Sequence, residues 1–369
     1  MKKIKFTDLY KIIKDKSKII KKINFLVKKS KFIGGDEVIN FEKNFAKFVK
    51  SKYCISVANG TDALEIALKA LNIKKGSEII LPANTWISTA EAIANNGFKP
   101  IFCDINLDDY SISIKDIKKK ISKKTRAIIA VHLYGNPTNI LSIKKLIKNK
   151  NIKIIEDCAQ AHGTTLGKKH VGTFGDVGTF SFFPGKNLGG FGDGGAIVTN
   201  KKEIWEYCSR ARNHGALKKY DHKFSGRNSR LDTINAAVLN IKLKTYPQVI
   251  RKRNNLSKIY FKKLKGIGDI NLYNLKKKNT HSFHQFVIRT EKRDHLSFFL
   301  KKNKIETMIH YPYMLNELSF FNKTQLKHAK NLGKKILSLP ISEEHSESEI
   351  KYVIEKINLF FEKNFIKKA

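Results

Sequence analysis

Residues 178–190 read Gly178-Thr179-Phe180-Ser181-Phe182-Phe183-Pro184-Gly185-Lys186-Asn187-Leu188-Gly189-Gly190. Alternating phenylalanines predict a strand, and the Pro-Gly and Asn-Leu-Gly flanks hold Lys186 in a tight loop instead of on a helix face. Lysine is the cation whose pKa falls most readily on desolvation, which makes it a Schiff-base nucleophile. Two phosphate-loop readings fail. The spacing from Gly178 to Lys186 is too long for a nucleotide P-loop, and Asn187 stands where Ser or Thr is required. Gly190-Phe191-Gly192-Asp193-Gly194-Gly195 satisfies GxGxxG, but Ala196–Thr199 after it reads as a strand, so the dinucleotide reading lacks its helix. Neither H-E-x-x-H nor G-x-S-x-G occurs.

Upstream of this block, strands alternate with helices. The first fifty residues read as helices broken at Ile33-Gly34-Gly35, with an amphipathic run from Glu37 to Phe48. Strands are expected at Tyr53–Ala58, Glu78–Leu81, Lys99–Cys103, Arg126–Val131 and Lys153–Glu156. Helices are expected between them, around Leu64–Leu71, Ser88–Asn95, Ile114–Ile121 and Ile143–Ile147. That alternation implies an α/β chain with a largely parallel sheet covered on both faces. From Phe174 to Thr199 the texture changes to short strands and glycine-rich loops, and helices resume at Lys202–Arg212 and Asp232–Lys244. Beyond Pro247 the reading is a helix (Val249–Lys265), a strand (Phe283–Thr290), a helix (Asp294–Lys302), a strand near Thr307–His310 and two further helices. The expected division is a large domain, 1–247, and a smaller α+β domain, 248–369.

Composition narrows the class. With 41% hydrophobic and 10% aromatic residues in 369, the chain can bury large cores and is not disordered. Lysines interrupt every apolar run before the roughly 18 residues a membrane span needs. The opening MKKIKFTDLYKIIKDKSKII lacks the continuous apolar core of a signal peptide. Four cysteines, Cys54, Cys103, Cys158 and Cys208, form no CxxC pair, so a reducing cytoplasm is expected, with no metal site. The net charge of +40 raises nucleic acid as a partner, but 63 of the 72 basic residues are Lys and only 9 are Arg. Base reading and bidentate phosphate contacts favour Arg. The lysines are also scattered, as in Ile117-Lys118-Lys119-Lys120 and Leu275-Lys276-Lys277-Lys278, and fit solvated surface better than a nucleic-acid footprint.

Three more segments carry candidate chemistry. Asn59-Gly60-Thr61 lies between a strand and a helix, where free amides and a hydroxyl suit a phosphate; a plain turn with Asp62 as cap reads equally well. Asp157 closes its strand and is followed by Gln160 and His162; it is either a helix cap or the partner of a cationic ring nitrogen, since ligands bind at the carboxyl ends of parallel strands. Arg227-Asn228-Ser229-Arg230-Leu231-Asp232 either caps a helix through Asp232 or delivers an amide and two guanidiniums to anionic oxygens.

A phosphate-binding turn, an acid for a pyridinium nitrogen and a constrained lysine are together what pyridoxal phosphate (PLP) requires. The segments NGTDALEIALKAL (59–71), EDCAQAHG (156–163), FSFFPGKNLGGFGDGGAIVT (180–199), RNHG (212–215) with KYDH (219–222), GRNSRLDTINAAVL (226–239) and HYP (310–312) resemble the sugar aminotransferases of the DegT/DnrJ/EryC1/StrS family. The resemblance implies the aspartate-aminotransferase fold (fold type I), with a large PLP domain, a small C-terminal domain and a homodimer with shared active sites. Carried over, Lys186 bonds PLP, Asp157 pairs with its ring nitrogen and Gln160 meets the ring hydroxyl. Gly60, Thr61 and Ser181 match the phosphate positions, Trp86 the ring-stacking position, and Asn228 the residue that reaches the phosphate of the other subunit. The family's dehydratases carry His in place of the lysine, so transamination is implied. ANGTDALE and GRNSRLD resemble enzymes that aminate C3 of a nucleotide-linked 3-keto sugar, with C4 amination the alternative. L-glutamate is the implied donor, and amino sugars for surface glycans such as O-antigen the implied product class. Lys219, Arg227, Arg230, His310 and Tyr311 are candidates to meet the nucleotide sugar.

Overall fold

In the computed structural model, which describes residues 3–275, 278–321 and 324–366, the apolar runs form strands whose carboxyl ends share one edge. Lys276 and Lys277 of the basic run quoted above, and Met1 and Lys2 of the opening, lie outside the described residues. Helices α1 (Lys16–Lys28) and α2 (Asp36–Val49) come first, parted by Gly34 and Gly35, both at positive φ (71° and 75°). There follow β1 (Tyr53–Val57), α3 (Gly60–Ala70), β2 (Glu78–Pro82), α4 (Ser88–Asn95), β3 (Lys99–Cys103), α5 (Ile114–Lys120), β4 (Thr125–Val131), α6 (Ile140–Leu146) and β5 (Lys153–Asp157). A small hairpin, β6 (Thr165–Leu166) and β7 (Lys169–His170), precedes β8 (Val177–Ser181), β9 (Gly195–Thr199), α7 (Lys202–Ala211) and α8 (Thr233–Leu264). The chain ends with β10 (Asn271–Leu272), β11 (Phe286–Arg289), α9 (Arg293–Lys302), β12 (Ile336–Leu339) and α10 (Glu347–Ile366).

The main sheet has seven strands in the order β1-β9-β8-β5-β4-β2-β3. Strands β3, β2, β4, β5 and β8 run parallel, and β9 alone is antiparallel to both its neighbours. β1 therefore points the same way as β8. Strands β1, β2, β4 and β5 are buried through to their carboxyl ends, and β8 up to Phe180, as expected for a sheet covered by helices on both faces. On one face α2 and α8 cover Phe180 and Phe182, which meet Phe45 edge-on at 5.0 and 5.2 Å. The alternating phenylalanines of the Lys186 block are thus the anchor under its loop.

The second half departs from the sequence reading in three ways. The expected boundary at 247/248 falls inside α8, which is one helix of 32 residues running through Pro247. Proline removes the amide that would meet the Leu243 carbonyl, but Leu243 and Tyr246 before it and Leu256 and Tyr260 after it are buried, and this packing carries the helix across. Thr307–His310 is not a strand: Met308 makes a single bridge to Ser338. The third strand of the small sheet is β12, paired with β11 over four positions; its short run before Pro340 reads in the sequence as part of a helical stretch. The amino end also crosses over, with Ile4 bridged to Ile305 and the Asp8 amide donating to Glu344.

No described helix is long and apolar enough to cross a membrane. The four cysteines are free and buried.

Candidate active site

At the common strand edge, β1 leads directly into α3. Asn59 caps that helix by accepting the Asp62 amide at 2.8 Å, so Asn59, and not Asp62, is the cap. The amides of Gly60 and Thr61 precede the helical ladder, and Gly60 packs against Ser181 at the end of β8. A Cβ on Gly60 would stand 2.8 Å from the Ser181 Cβ, and one on Gly195 would stand 2.3 Å from the Asn59 carbonyl oxygen. Only glycine lets the turn, β8 and β9 approach this closely. Thr61 donates its hydroxyl to Ser88 at 2.8 Å. Gly60, Thr61 and Ser181 therefore form one cradle of amides and hydroxyls at a helix start, the arrangement that binds a phosphate.

Lys186 lies on the loop between β8 and β9, five residues beyond Ser181. Its loop closes through Phe182 N–H to the Gly194 carbonyl and Gly190 N–H to the Phe182 carbonyl, both 2.7 Å, and Lys186 N–H turns back on the Phe183 carbonyl at 2.8 Å. The side chain keeps some exposed surface while its amine lies among protein atoms. Burial lowers the amine's pKa to about 8, with the Asp157 carboxylate pulling the other way.

Asp157 is buried at the end of β5. Its Oδ2 accepts the Thr89 hydroxyl at 2.9 Å and its Oδ1 accepts the Ala159 amide at 3.1 Å. No helix starts here, so the carboxylate is not a helix cap. Burial pushes its pKa up, opposed by these two donors and by Lys186 and His132. Gln160 is also buried: its Oε1 accepts the Tyr134 amide at 2.6 Å and its Nε2 donates to the Tyr311 hydroxyl at 2.9 Å. Tyr311 in turn lies 5.5 Å from the ring of Trp86, which remains 57% exposed above the site. His310 joins them, its Nδ1 2.9 Å from the Ser338 hydroxyl and its pKa pushed down to about 4 by burial and by Lys186.

The remaining sequence candidates stand apart. Arg227 donates to Asp62 at 2.7 Å and Glu65 at 2.5 Å, so carboxylates of α3 already hold it. Arg230 donates to Asn213 at 3.3 Å. Asn228 and Lys219 are exposed, and Lys219 lies 4.9 Å over the Tyr220 ring. Among the described residues, no hydrogen bond or ion pair ties these four to Lys186. Asp232 precedes α8 without a side-chain cap bond.

Two site groups escaped the sequence reading. His284 reaches over from the C-terminal part to the Asn187 side chain (3.0 Å), whose amide donates to the Ser282 carbonyl at 2.9 Å. With the Asn187 oxygen facing it, His284 Nδ1 carries the proton, and burial together with Lys186 keeps the ring neutral. It reads in the sequence as one residue of a strand. Thr89, the donor to Asp157, reads as an ordinary helix residue.

The family model of the DegT/DnrJ/EryC1/StrS aminotransferase family matches residues 14–358. The chain belongs to that family. It is 38% identical over 97% of its length, and 99% of the relative's, to a dTDP-3-amino-3,6-dideoxy-alpha-D-galactopyranose transaminase of Aneurinibacillus thermoaerophilus. It is 36% identical, over 91% of each chain, to a UDP-N-acetyl-3-dehydro-alpha-D-glucosamine 3-aminotransferase of Acidithiobacillus ferrooxidans. Among solved structures, DesV of S. venezuelae in complex with a ketimine intermediate superimposes with a TM-score of 0.95 at 32% identity, covering 98% of this chain and 99% of that one. The structure of ntda from Bacillus subtilis with bound cofactor PMP gives a TM-score of 0.89 at 28% identity, covering 96% of this chain and 86% of that one. As a family aminotransferase the chain is a PLP enzyme with an aspartate-aminotransferase-type α/β fold. Its own residues fit that cofactor: an amine brought to about pH 8, a buried carboxylate beside it, and a glycine-bounded cradle that a Cβ would fill.

Proposed function

We propose that this aminotransferase moves an amino group from L-glutamate to C3 of a nucleotide-linked 3-keto hexose, as a homodimer whose two sites share residues. The observation that carries the chemistry is the Lys186 amine, lowered to about 8 beside the buried Asp157. Two relatives named for 3-amino or 3-dehydro sugars, together with the Asn59-Gly60-Thr61 turn, support C3.

Lys186 would hold the cofactor through its carbonyl carbon, because near pH 8 much of the amine carries a free electron pair. With a donor bound, the Lys186 amine would take the proton from the donor's α-carbon and would return one during amination of the sugar. Bound PLP supplies an electron-withdrawing ring that takes up the electrons this deprotonation releases. Asp157 would keep a proton on the ring nitrogen, since an adjacent carboxylate favours the cation. Gly60, Thr61 and Ser181 would bind the phosphate, Gln160 would orient the ring through its amide, and Trp86 would cover the ring face. Asn228, exposed on its own chain, is free to complete the partner subunit's phosphate site. Tyr311, whose ring lies against Trp86, and His310 next to it would meet the sugar.

The test is incubation of the PLP-loaded protein with L-glutamate and a dTDP- or UDP-linked 3-keto sugar, followed by product NMR. Formation of 2-oxoglutarate and a nitrogen on C3 is expected. A nitrogen on C4, or no transfer to any 3-keto sugar, contradicts the proposal.

A further inference from the structure

The five residues Thr85–Thr89 connect three parts of the site. Trp86 lies over it, Ser88 takes the Thr61 hydroxyl, and Thr89 donates to Asp157. Behind Thr89 is a second buried hydroxyl, Thr85, with its Oγ1 3.0 Å from Thr89 Oγ1. A hydroxyl has a single proton. An ionised carboxylate only accepts, so Thr89 gives its proton to Asp157 and Thr85 must give its own to Thr89. The result is a one-way chain, Thr85 to Thr89 to Asp157 Oδ2, while Ala159 supplies the Oδ1 donor.

Phosphate binding and ring cover do not require this chain, and an apolar residue of the same shape would fill the space equally well. Its effect is electrostatic. A hydrogen bond to an ionised group is roughly twice as strong as a neutral one, so the pair of threonines favours the charged carboxyl over the neutral one. That opposes burial, which favours the neutral acid. The other groups facing Asp157 are Lys186 on the β8–β9 loop, His132 after β4, Tyr311 from the C-terminal part and Cys158 next in sequence. Among them Lys186 is the cation, since His132 Nδ1 accepts the Thr138 amide at 3.0 Å.

We propose that Thr89, backed by Thr85, is a positioning residue that holds Asp157 ionised and in one orientation for the cofactor's ring nitrogen. The proposal rests on the PLP-aminotransferase reading of this site.

Thr89→Val keeps the shape and removes the donor, Thr89→Ser keeps the donor, and Thr85→Val removes only the backing hydroxyl. The PLP-loaded proteins are titrated from pH 5 to 9 by cofactor absorbance, and the donor half-reaction is timed with L-glutamate. In Thr89→Val the acid-side midpoint should move up by about one pH unit, and kcat should fall about tenfold with KM within about twofold. Thr89→Ser should follow the wild type, and Thr85→Val should shift the same way by less. A Thr89→Val titration that superimposes on the wild type overturns the proposal. So does a Thr89→Ser shift as large as that of Thr89→Val, because the volume change would then be responsible. If Thr89→Val does not fold, Thr85→Val decides: it leaves Asp157 untouched, and an unshifted midpoint overturns the proposal. The absorbance arm needs only protein and PLP. A wild type that binds PLP on Lys186 but aminates no 3-keto sugar would therefore sink the proposed function without touching this one.

Discussion

At the carboxyl ends of β1, β5 and β8, short backbone turns bring polar groups into fixed pairs: Thr89 with Asp157, Gln160 with Tyr311, Thr61 with Ser88. In the 212–230 segment the polar groups are long cations on an irregular loop. There Arg227 is taken by Asp62 and Glu65, Arg230 leans on Asn213, and Lys219 lies out beside Tyr220, which is 79% exposed. Both regions carry motifs of the same family, yet only the first has its chemistry assembled within one chain. The difference is one of anchoring. A strand end in a parallel sheet fixes where a side chain begins, whereas a loop cation pairs with whichever carboxylate or phosphate lies in reach, including one from another subunit.

The contrast can be broken most severely at Asp157. Asp157→Asn keeps the shape but removes the charge that holds the ring proton, and kcat should fall by several orders of magnitude with the fold intact. Stopped-flow measurement of the donor half-reaction checks this, and near-normal turnover would remove Asp157 from the chemistry.

A second experiment sharpens the loop side. Lys186→Ala and Asn228→Ala homodimers should both be impaired, the first in catalysis and the second in PLP affinity. Subunit exchange between them places an intact Lys186 and an intact partner Asn228 at one of two sites. Activity per heterodimer should then approach half the wild-type value at limiting PLP. If Asn228 serves its own chain, both heterodimer sites stay defective and mixing restores nothing above the parental average.

Arg227 gives a smaller effect. Arg227→Gln should lower stability by about 1 kcal/mol, through the lost contacts to Asp62 and Glu65, while KM for the nucleotide sugar stays unchanged. Urea melts and steady-state kinetics decide it. A tenfold rise in KM with unchanged stability would return Arg227 to the substrate site.

A further effect is on acid stability. Burial lowers the pKa of His170 to about 4 and that of His281 to about 3, against an ordinary value of 6.5. Both stay neutral in the folded chain while the unfolded chain takes up protons, so their contribution is full above pH 6.5 and is lost as pH falls toward 4. Each adds a slope of up to about 1.4 kcal/mol per pH unit in that window. The urea midpoint should drop between pH 7.5 and pH 5, and an unchanged midpoint would mean these rings are protonated in the fold.

The sheet was legible because its strands are apolar runs separated by helical repeats, and the Lys186 loop because Pro-Gly and Asn-Leu-Gly allow little besides a tight turn. Legibility failed where tertiary packing overrides local signals. Pro247 marks a break in any one-dimensional reading, yet the buried Tyr246 and Leu256 keep α8 continuous. Ile336–Leu339 is a strand only because β11 lies beside it. Within the site, Lys186, Asp157 and the Gly60-Thr61 turn stand out by residue type and spacing, and Trp86, Gln160 and Ser181 only through the family resemblance. Thr89 and His284 do not, because a threonine in a helix and a histidine in an apolar run gain their roles only from neighbours far away in sequence.

The central claim is that Lys186 is the amine that carries the cofactor. Purified protein loaded with PLP should be yellow, and borohydride reduction followed by peptide mass mapping should place the pyridoxyl group on Lys186, while Lys186→Ala folds but takes no label. In the PLP-free protein, the pH dependence of Lys186 modification by an amine-specific reagent should show a midpoint near 8. A label on a different lysine, or none, would contradict the account.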